Sequence, residues 1–211
     1  MKRSDLYFIL IVLLILFPFI PIPWLKEQLQ DPFLYNESYW VITSFIKFAL
    51  LATLGEVLGL RIKSGGYKLS GFGVLPRALV WGVLGITIKM AMVVCAAGVP
   101  AFLAKSCAMP DALSAMKATD VLEAAGLGLG GVRILTAFCI SVFMNMTFAP
   151  VMMTFHKITD THIVDHGGTL AGCLRPINMG DIFTRINWKV QWNFVFKKTI
   201  PFFWFPAHTI T

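Results

Sequence analysis

The sequence predicts an all-α protein, a polytopic transmembrane helix bundle with four complete spans and the start of a fifth. Of its 211 residues, 57% are hydrophobic and 14% are charged, and the mean hydropathy is +0.74. Soluble domains carry about 25% charged residues, so this chain has too little charge to cover a surface that faces water. Its apolar residues also form blocks that reach the roughly 20 residues needed to cross a bilayer.

Apolar blocks and the residues that bound them define the predicted spans. The complete spans are Leu6–Trp24, Tyr39–Leu60, Pro76–Ala104 and Arg133–Phe155, and an incomplete one begins near Thr199. The first block follows two basic residues, as in a signal peptide, but prolines and Trp24 close it and no small-residue cleavage site follows. Residues 1–38 are therefore predicted to form an extra N-terminal transmembrane helix and an outer loop. Residues 39–211 form a channel-like bundle whose last span is incomplete.

The charged loops predict the orientation in the membrane. Net charges are −2 for residues 26–38, +4 for 61–77, −1 for 105–132 and +3 for 157–198. Lys and Arg are enriched in cytoplasmic loops, so the N-terminus and the two basic loops are predicted to be cytoplasmic. The same loops account for the overall charge of +7, and the chain has no basic, aromatic tract of the kind that binds nucleic acid. We therefore predict the lipid bilayer as a partner and no nucleic acid.

Three loop segments have patterns of their own. Asp111–Ala125 is predicted to be one short helix outside the membrane, with Pro110 at its start. Asn187–Phe196 mixes Trp, Lys and Phe, as an interfacial helix does. Gly126, Gly128 and Gly131 spell G-x-G-x-x-G, but without the strand that a dinucleotide site requires they indicate an outer turn.

Ionisable or amide side chains within the spans are the candidate functional residues, because such groups are costly in a bilayer. Glu56 shares a helix face with small residues of the second span, whereas Lys47 shares one with leucines and is expected to extend to the outer interface. Lys89 shares a face with Gly82 and Gly85, which turns it inward at a depth of about 18 Å. Asn145 is expected near the same level, at about 16 Å, and Glu56 nearer the cytoplasm at about 8 Å.

These residues predict a polar layer made of Glu56, Lys89 and Asn145. A cationic midpoint in such a layer would favour anions over cations. The alternative is a Lys89–Glu56 ion pair that only fixes the packing of the helices, since buried charges seek partners. Both interpretations remain open from the sequence.

A metal site is a weaker candidate. His156, His162 and His166 lie with two aspartates just after the fourth block, and His and carboxylate ligands suit zinc or iron. No second histidine cluster is present, and His208 is the remaining histidine. A polar loop that ends the helix is therefore favoured, and no metal or other cofactor is expected.

The C-terminal segment resembles the signature of the Mpv-type family of peroxisomal and mitochondrial inner-membrane proteins. That signature has a Trp, a Pro two positions later and then Gln, followed by Asn-Phe and Val-Pro. Trp188 precedes this segment, and Trp204 and Pro206 match the Trp and Pro of the signature. His208 and Thr211 stand where the family has Gln and Asn. Upstream, Gly55-Glu56 resembles the Gly-Asp of the family's first helix, and Gly82 and Gly85 resemble its second-helix glycines. Phe148–Pro150 resembles the end of the family's Asp-Gln-x-x-x-x-Pro, but Met144 and Asn145 stand in place of Asp-Gln.

The resemblance implies a small, non-enzymatic, channel-like membrane protein that is permeable to metabolites. Family members have four spans, so Leu6–Trp24 would be an additional helix, and Glu56, Lys89 and Asn145 are the residues carried forward. An uncleaved first span and the lack of a transit peptide favour a bacterial inner membrane over a mitochondrion. The alternatives are an accessory subunit of a larger complex, or a homo-oligomer, built on the small-residue faces, and a metal-dependent membrane enzyme built on His156–His166.

Overall fold

The fold is helical throughout the part of the chain that the computed structural model describes, residues 3–210. Helices make up 82% of the protein, and no strand occurs among these residues. Within residues 3–210, three helices are long and apolar enough to cross a membrane, or four if one sharply bent pair counts as a single span. The prediction of an all-α protein with several membrane-spanning segments is confirmed at this level.

The helices follow one another with short connections. In chain order they are α1 (Arg3–Leu16), α2 (Pro23–Leu25), α3 (Trp40–Ser64), α4 (Val74–Ser106), α5 (Ala112–Lys117), α6 (Val121–Gly126), α7 (Gly130–Thr147), α8 (Ala149–Asp165), α9 (Leu170–Cys173), α10 (Met179–Arg185), α11 (Trp188–Val190) and α12 (Phe205–Ile210). Two wide-turned π-helical segments, Lys26–Leu34 and Gln191–Trp204, continue α2 and α11, and short 3-10 turns occupy Phe17–Phe19 and Glu37–Tyr39.

Contacts divide the chain into two compact units. The first contains the chain up to Thr87 together with Ile158–Ile182, and the second contains Ile88–Lys157 together with Phe183–Thr211. The first unit holds α3 and the start of α4, whereas the second holds α5, α6, α7 and α12.

The first predicted span, Leu6–Trp24, is not one helix. Its helix stops at Phe19, and Arg3–Phe19 meets Pro23–Leu34 at an angle of 70°. Ile20 and Ile22 are extended, with ψ of 132° and 129°, because each precedes a proline whose ring excludes the helical conformation from the residue before it. Gln30 donates to the carbonyls of Pro18 and Ile20 at 3.0 and 2.8 Å. The predicted outer loop is thus helical over residues 26–34 and is tied back to the break.

The second and third predicted spans form as expected, each slightly longer than its apolar block. The second block, Tyr39–Leu60, corresponds to α3, and the third, Pro76–Ala104, corresponds to α4. The C-terminal cap of α3 is Gly65, whose φ of 74° is left-handed and whose N–H donates to the carbonyl of Arg61. Glycine adopts this conformation without steric cost, which explains where the helix ends.

Small residues on α4 allow close contact with α3, as their shared face predicts. A Cβ placed on Gly82 would lie 2.4 Å from the ring of Phe45, and one on Gly85 would lie 2.5 Å from Cβ of Phe48. Helices within a membrane gain van der Waals contact through such glycine positions. The expectation that Gly82 and Gly85 face another helix is confirmed.

The fourth predicted span, Arg133–Phe155, is divided at Phe148. Here α7 ends at Thr147 and α8 begins at Ala149. Pro150 has no N–H to donate to the preceding turn, and its ring crowds the carbonyl four residues earlier, which accounts for the interruption. Because α8 continues to Asp165, the prediction of a loop over His156–His166 is wrong, and the segment is helical.

The segment Asp111–Ala125 forms two helices, α5 and α6, and the prediction of a single helix is wrong. Asp120 begins α6 by accepting the N–H of Glu123 at 2.8 Å, and the Glu123 carboxylate accepts the N–H of Thr119 at 2.6 Å. This hydrogen bond holds the pKa of Glu123 below its usual value. A D-x-x-E spacing of this kind marks a helix start. The following glycines form the predicted turn, with Gly128 at a φ of 74°.

At the C-terminal end, the predicted interfacial segment and the fifth apolar block belong to one continuous helical run. This run extends from α11 through Gln191–Trp204 to α12. Pro201 lies within its wide turns and has no N–H to donate to them. The run is not among the three helices that meet the length and hydropathy needed for a span.

We predict that Gly85→Ala lowers the thermal stability of the protein in detergent. Alanine raises helix propensity by about 1 kcal/mol, but its methyl group would overlap Cβ of Phe48, and overpacking costs about 1–3 kcal/mol. Gly98→Ala on the same helix is the matched control, because nothing lies within 4 Å of its added Cβ. A Gly85→Ala protein as stable as Gly98→Ala would contradict the close contact with α3.

Candidate functional site

A buried arginine organises the polar contacts of the first unit. Arg77, in the first turn of α4, is 6% exposed. Its Nη1 contacts the carboxylates of Glu56 on α3 and Asp160 on α8. Its Nε donates to the carbonyl of Phe72 at 2.6 Å, and the guanidinium lies over the Phe72 ring, 4.2 Å from the centroid. One cation therefore joins three parts of this unit.

Glu56 receives a second hydrogen bond from the same helix as Arg77. Trp81 Nε1 donates to Glu56 Oε1 at 2.6 Å. The sequence indicates Glu56 as a functional candidate and predicts Lys89 as its partner. In the structure, Arg77 and Trp81 are partners of Glu56 within its own unit. Lys89 lies in the second unit, so the Lys89–Glu56 pair stays a prediction. The signal in the sequence for this partner is Arg77 itself. Arg77 contributes to the charge of the loop 61–77, but it also stands at the start of an apolar block.

A close glycine contact joins the loops next to the helices of Asp160 and Arg77. Gly73 and Gly168 both have left-handed φ values, 67° and 69°, and a Cβ on Gly73 would lie 2.8 Å from Cα of Gly168. The loop before α4 and the loop after α8 therefore meet backbone to backbone, which only glycine allows at this separation. Asp160 lies on α8, just before this contact, and Arg77 lies on α4, just after it.

A second ion pair of the first unit joins α1 to the end of α3. Arg61 donates from Nε and Nη2 to the two oxygens of Asp5 at 2.7 and 3.1 Å, and the Tyr67 hydroxyl donates to Asp5 at 3.0 Å. The two-point geometry is the strong form of an arginine–carboxylate contact. Lys47 has a different environment, because its Nζ lies 5.6 Å from the ring centroids of both Phe19 and Tyr35.

The second unit contains a buried polar cluster around Asn145. Asn145 and Ser141, both on α7, are each 1% exposed. Asn145 Nδ2 donates to the Ser141 carbonyl at 2.9 Å and lies 2.9 Å from His208 Nδ1 on α12. The Ser141 hydroxyl donates to the carbonyl of Phe205 at 2.8 Å. The sequence identified Asn145, but it could not identify His208 as its partner, because the two residues are 63 positions apart.

This geometry fixes the protonation of His208. An amide nitrogen is a donor only, so Nδ1 of His208 accepts the hydrogen bond from Asn145. A histidine that accepts at Nδ1 carries its proton on Nε2 and is neutral. His208 therefore presents an uncharged N–H donor on the side of its ring away from Asn145.

A cavity of about 550 Å³ lies beside this cluster, within the second unit. Its walls come from α4, α5, α6, α7 and α12, and His208, Met92 and Ala96 are among the lining residues. Lys89 lies one helical turn before Met92, which places both on one face of α4. Of the three predicted residues, Lys89 therefore lies one turn from a residue that lines the cavity, and Asn145 is hydrogen-bonded to another, His208.

His162 on α8 and His166, the residue after this helix, lie within hydrogen-bonding distance of nearby backbone carbonyls. His162 is buried, and its Nε2 lies 3.1 Å from the Gly172 carbonyl, whereas Nδ1 of His166 lies 2.9 Å from the His162 carbonyl. His156 falls in the second unit. Among residues 3–210, no group of three or more His, Cys, Asp or Glu side chains is arranged to hold a metal ion.

Comparison with protein-family models, curated proteins and solved structures finds no match for this chain. The resemblance to the Mpv-type family therefore stays a prediction.

We predict that Arg77→Met strongly destabilises the protein, by about 3–5 kcal/mol, because it leaves two carboxylates without their buried counter-ion. Lys63→Met is the matched control, since Lys63 is exposed near the end of α3 and its loss removes the same charge. Thermal unfolding of both variants in one detergent measures the difference. Equal unfolding temperatures would show that the Arg77 contacts do not stabilise the fold.

Proposed function

We propose that this chain is a non-enzymatic, channel-like integral membrane protein that lets small anionic metabolites pass. The observation that carries the proposal is the cavity of the second unit, which reaches the buried Asn145–His208 pair. A cavity beside candidate spans that is lined in part by polar side chains is typical of a solute pathway. Most other surfaces of these helices expose large apolar side chains, which suits contact with lipid.

Anion preference is proposed to come from Lys89. Lys89 is half-buried on α4, one helical turn before Met92, which lines the cavity. His208 adds a neutral N–H donor, which stabilises an oxyanion without the cost of a second buried charge. Neither group requires a covalent step, which is why the proposal is a pathway and not an enzyme.

The arrangement in the membrane is part of the proposal. The bent pair α1 and α2 would form one span, with α3, α4 and α7 as the other three, and the helical run Trp188–Ile210 would be the start of a fifth. The loop charges favour a cytoplasmic N-terminus, and the membrane that we propose is a cell inner membrane.

We predict that the native thiol of Cys107, which is exposed, reacts with a membrane-impermeant maleimide added outside intact cells. In a Cys107→Ser background, Ser64→Cys and Gly180→Cys should be unreactive from outside, because both positions fall in basic loops. The two are exposed, and nothing lies within 4 Å of Gly180 that a new side chain would disturb. Labelling of Ser64→Cys before cell lysis would overturn the orientation.

Conductance of the purified protein in a planar bilayer tests the pathway. We predict anion-selective conductance for the native chain and a weaker anion preference for Lys89→Met, since the variant removes the positive charge beside the cavity. Lys105→Met is the matched control, because Lys105 is an exposed lysine in the last turn of the same helix. A well-folded Lys89→Met protein with unchanged selectivity would remove Lys89 from the pathway, and a chain without conductance would refute the channel.

An accessory subunit of a larger membrane complex is the second candidate. Gly55 and Gly59 are exposed on α3 with nothing within 4 Å of an added Cβ, and a G-x-x-x-G spacing on a span is typical of a helix-packing face. This function would be favoured if the isolated chain does not conduct and if Gly59→Leu releases a protein that otherwise co-purifies with it.

A further inference from the structure

Arg133 lines the cavity of the second unit with part of its hydrogen-bonding capacity unused. Its Nη1 donates to the carbonyls of Ala115 and Ala118 at 3.0 and 2.6 Å, and its Nη2 donates to the Thr119 carbonyl at 3.1 Å. Guanidinium has five N–H donors. Within residues 3–210, the remaining edge, formed by Nε–H and the second Nη2–H, has no acceptor. That edge has the spacing of a carboxylate or phosphate.

Asp120 lines the same cavity. One oxygen, Oδ1, accepts the N–H of Glu123 as the cap of α6, and the described part of the chain offers no donor to the other. Asp120 and Arg133 form no ion pair with each other in that part of the chain, although both are charged groups of one cavity wall. Each therefore retains the capacity to bind an opposite charge.

The rest of this cavity is mostly apolar. Met92, Met116, Ile134 and Ile140 come from α4, α5 and α7 and face the same space. A volume of about 550 Å³ is sufficient for a solute of amino-acid size. The cavity thus combines charged groups of both signs, Asp120 and Arg133, with largely apolar walls.

We propose that this cavity binds a zwitterion with an apolar group. The oxyanion of the ligand, a carboxylate or a phosphate, accepts from Nε and Nη2 of Arg133. Its ammonium pairs with Asp120, and its apolar part contacts the methionines and isoleucines. A ligand with both charges satisfies both side chains, whereas an anion alone leaves the charge of Asp120 unmatched and a cation alone leaves that of Arg133 unmatched.

Two sources supply this chemistry, a free apolar amino acid and the headgroup of a phosphatidylethanolamine. The inference goes beyond conduction of anions, because binding can be measured without transport. The proposed ligand class depends on Arg133 and Asp120, whereas the proposed anion preference depends on Lys89.

The test is calorimetric titration of the full chain in phosphatidylglycerol nanodiscs, which contain no zwitterionic lipid. The probes are leucine, 4-methylpentanoate, which lacks the ammonium, and 3-methylbutylamine, which lacks the carboxylate. We expect leucine to bind roughly 10-fold more tightly than either analogue, as the loss of one hydrogen-bonded charge implies. In a second arm, native mass spectrometry from mixed nanodiscs should retain phosphatidylethanolamine over phosphatidylglycerol if the lipid is the ligand.

Asp120→Asn is the decisive variant. Asn is as good a helix cap as Asp, so α6 should remain folded, while the charge that pairs with the ammonium is removed. We expect the preference for leucine over 4-methylpentanoate, or for phosphatidylethanolamine over phosphatidylglycerol, to disappear. Asp111→Asn is the matched control, since Asp111 begins α5 without a side-chain cap bond and does not line the cavity. The Asp111→Asn variant should show the same ligand preference as the native chain.

Each outcome decides between the two proposals. The inference would be overturned if neither zwitterion binds, or if leucine and its two analogues bind equally and no lipid is preferred. It would also be overturned if the preference is unchanged in Asp120→Asn. Anion conductance with any of these results leaves the channel intact. Zwitterion binding without conductance supports the inference and refutes the channel alone.

Discussion

A bilayer interior offers no water to the peptide backbone, so every N–H and C=O within it has to be bonded by the protein itself. Prolines decide how this chain meets that requirement, because each removes one donor and restricts the residue before it. The closely spaced Pro18, Pro21 and Pro23 end the first helix and turn the chain by 70°. The freed carbonyls of Pro18 and Ile20 then accept hydrogen bonds from Gln30. The break is thus compensated by a side chain that the sequence alone would assign to a loop.

Charges inside the protein follow the same requirement. A guanidinium or carboxylate is stable away from water only when it is paired and fully hydrogen-bonded. Arg77 satisfies this condition with two carboxylates, a carbonyl and an aromatic face. The loops that flank α4 and α8, the helices of Arg77 and Asp160, meet at the close contact of Gly73 with Gly168. Close backbone packing and charge pairing therefore occur side by side in this unit, and we expect loss of either one to weaken the other.

Features determined by composition and local pattern could be predicted from the sequence, whereas pairings between distant residues could not. Block length and hydropathy predicted α3 and α4, and the glycines of α4 predicted its contact with α3. The start of α6 was also present in the sequence, as the D-x-x-E spacing of Asp120 and Glu123, but it was overlooked. By contrast, hydropathy treats Arg77 only as a charge at the edge of a block, and it cannot show that Glu56 lies opposite. The pairing of Asn145 with His208 likewise depends on how α12 packs against α7.

The Asn145–His208 pair also limits what the cavity can bind. Both hydrogens of the Asn145 amide are used, one by the Ser141 carbonyl and one by His208, so Asn145 has no donor left for a ligand. Its effect is indirect, because it holds His208 in the neutral form with the proton on Nε2. Protonation of His208 would place a hydrogen on Nδ1 against the Asn145 amide hydrogens, which opposes a second charge there. The fixed charges that line this cavity are then those of Arg133 and Asp120, and the opposite signs of these two groups favour a ligand that carries both.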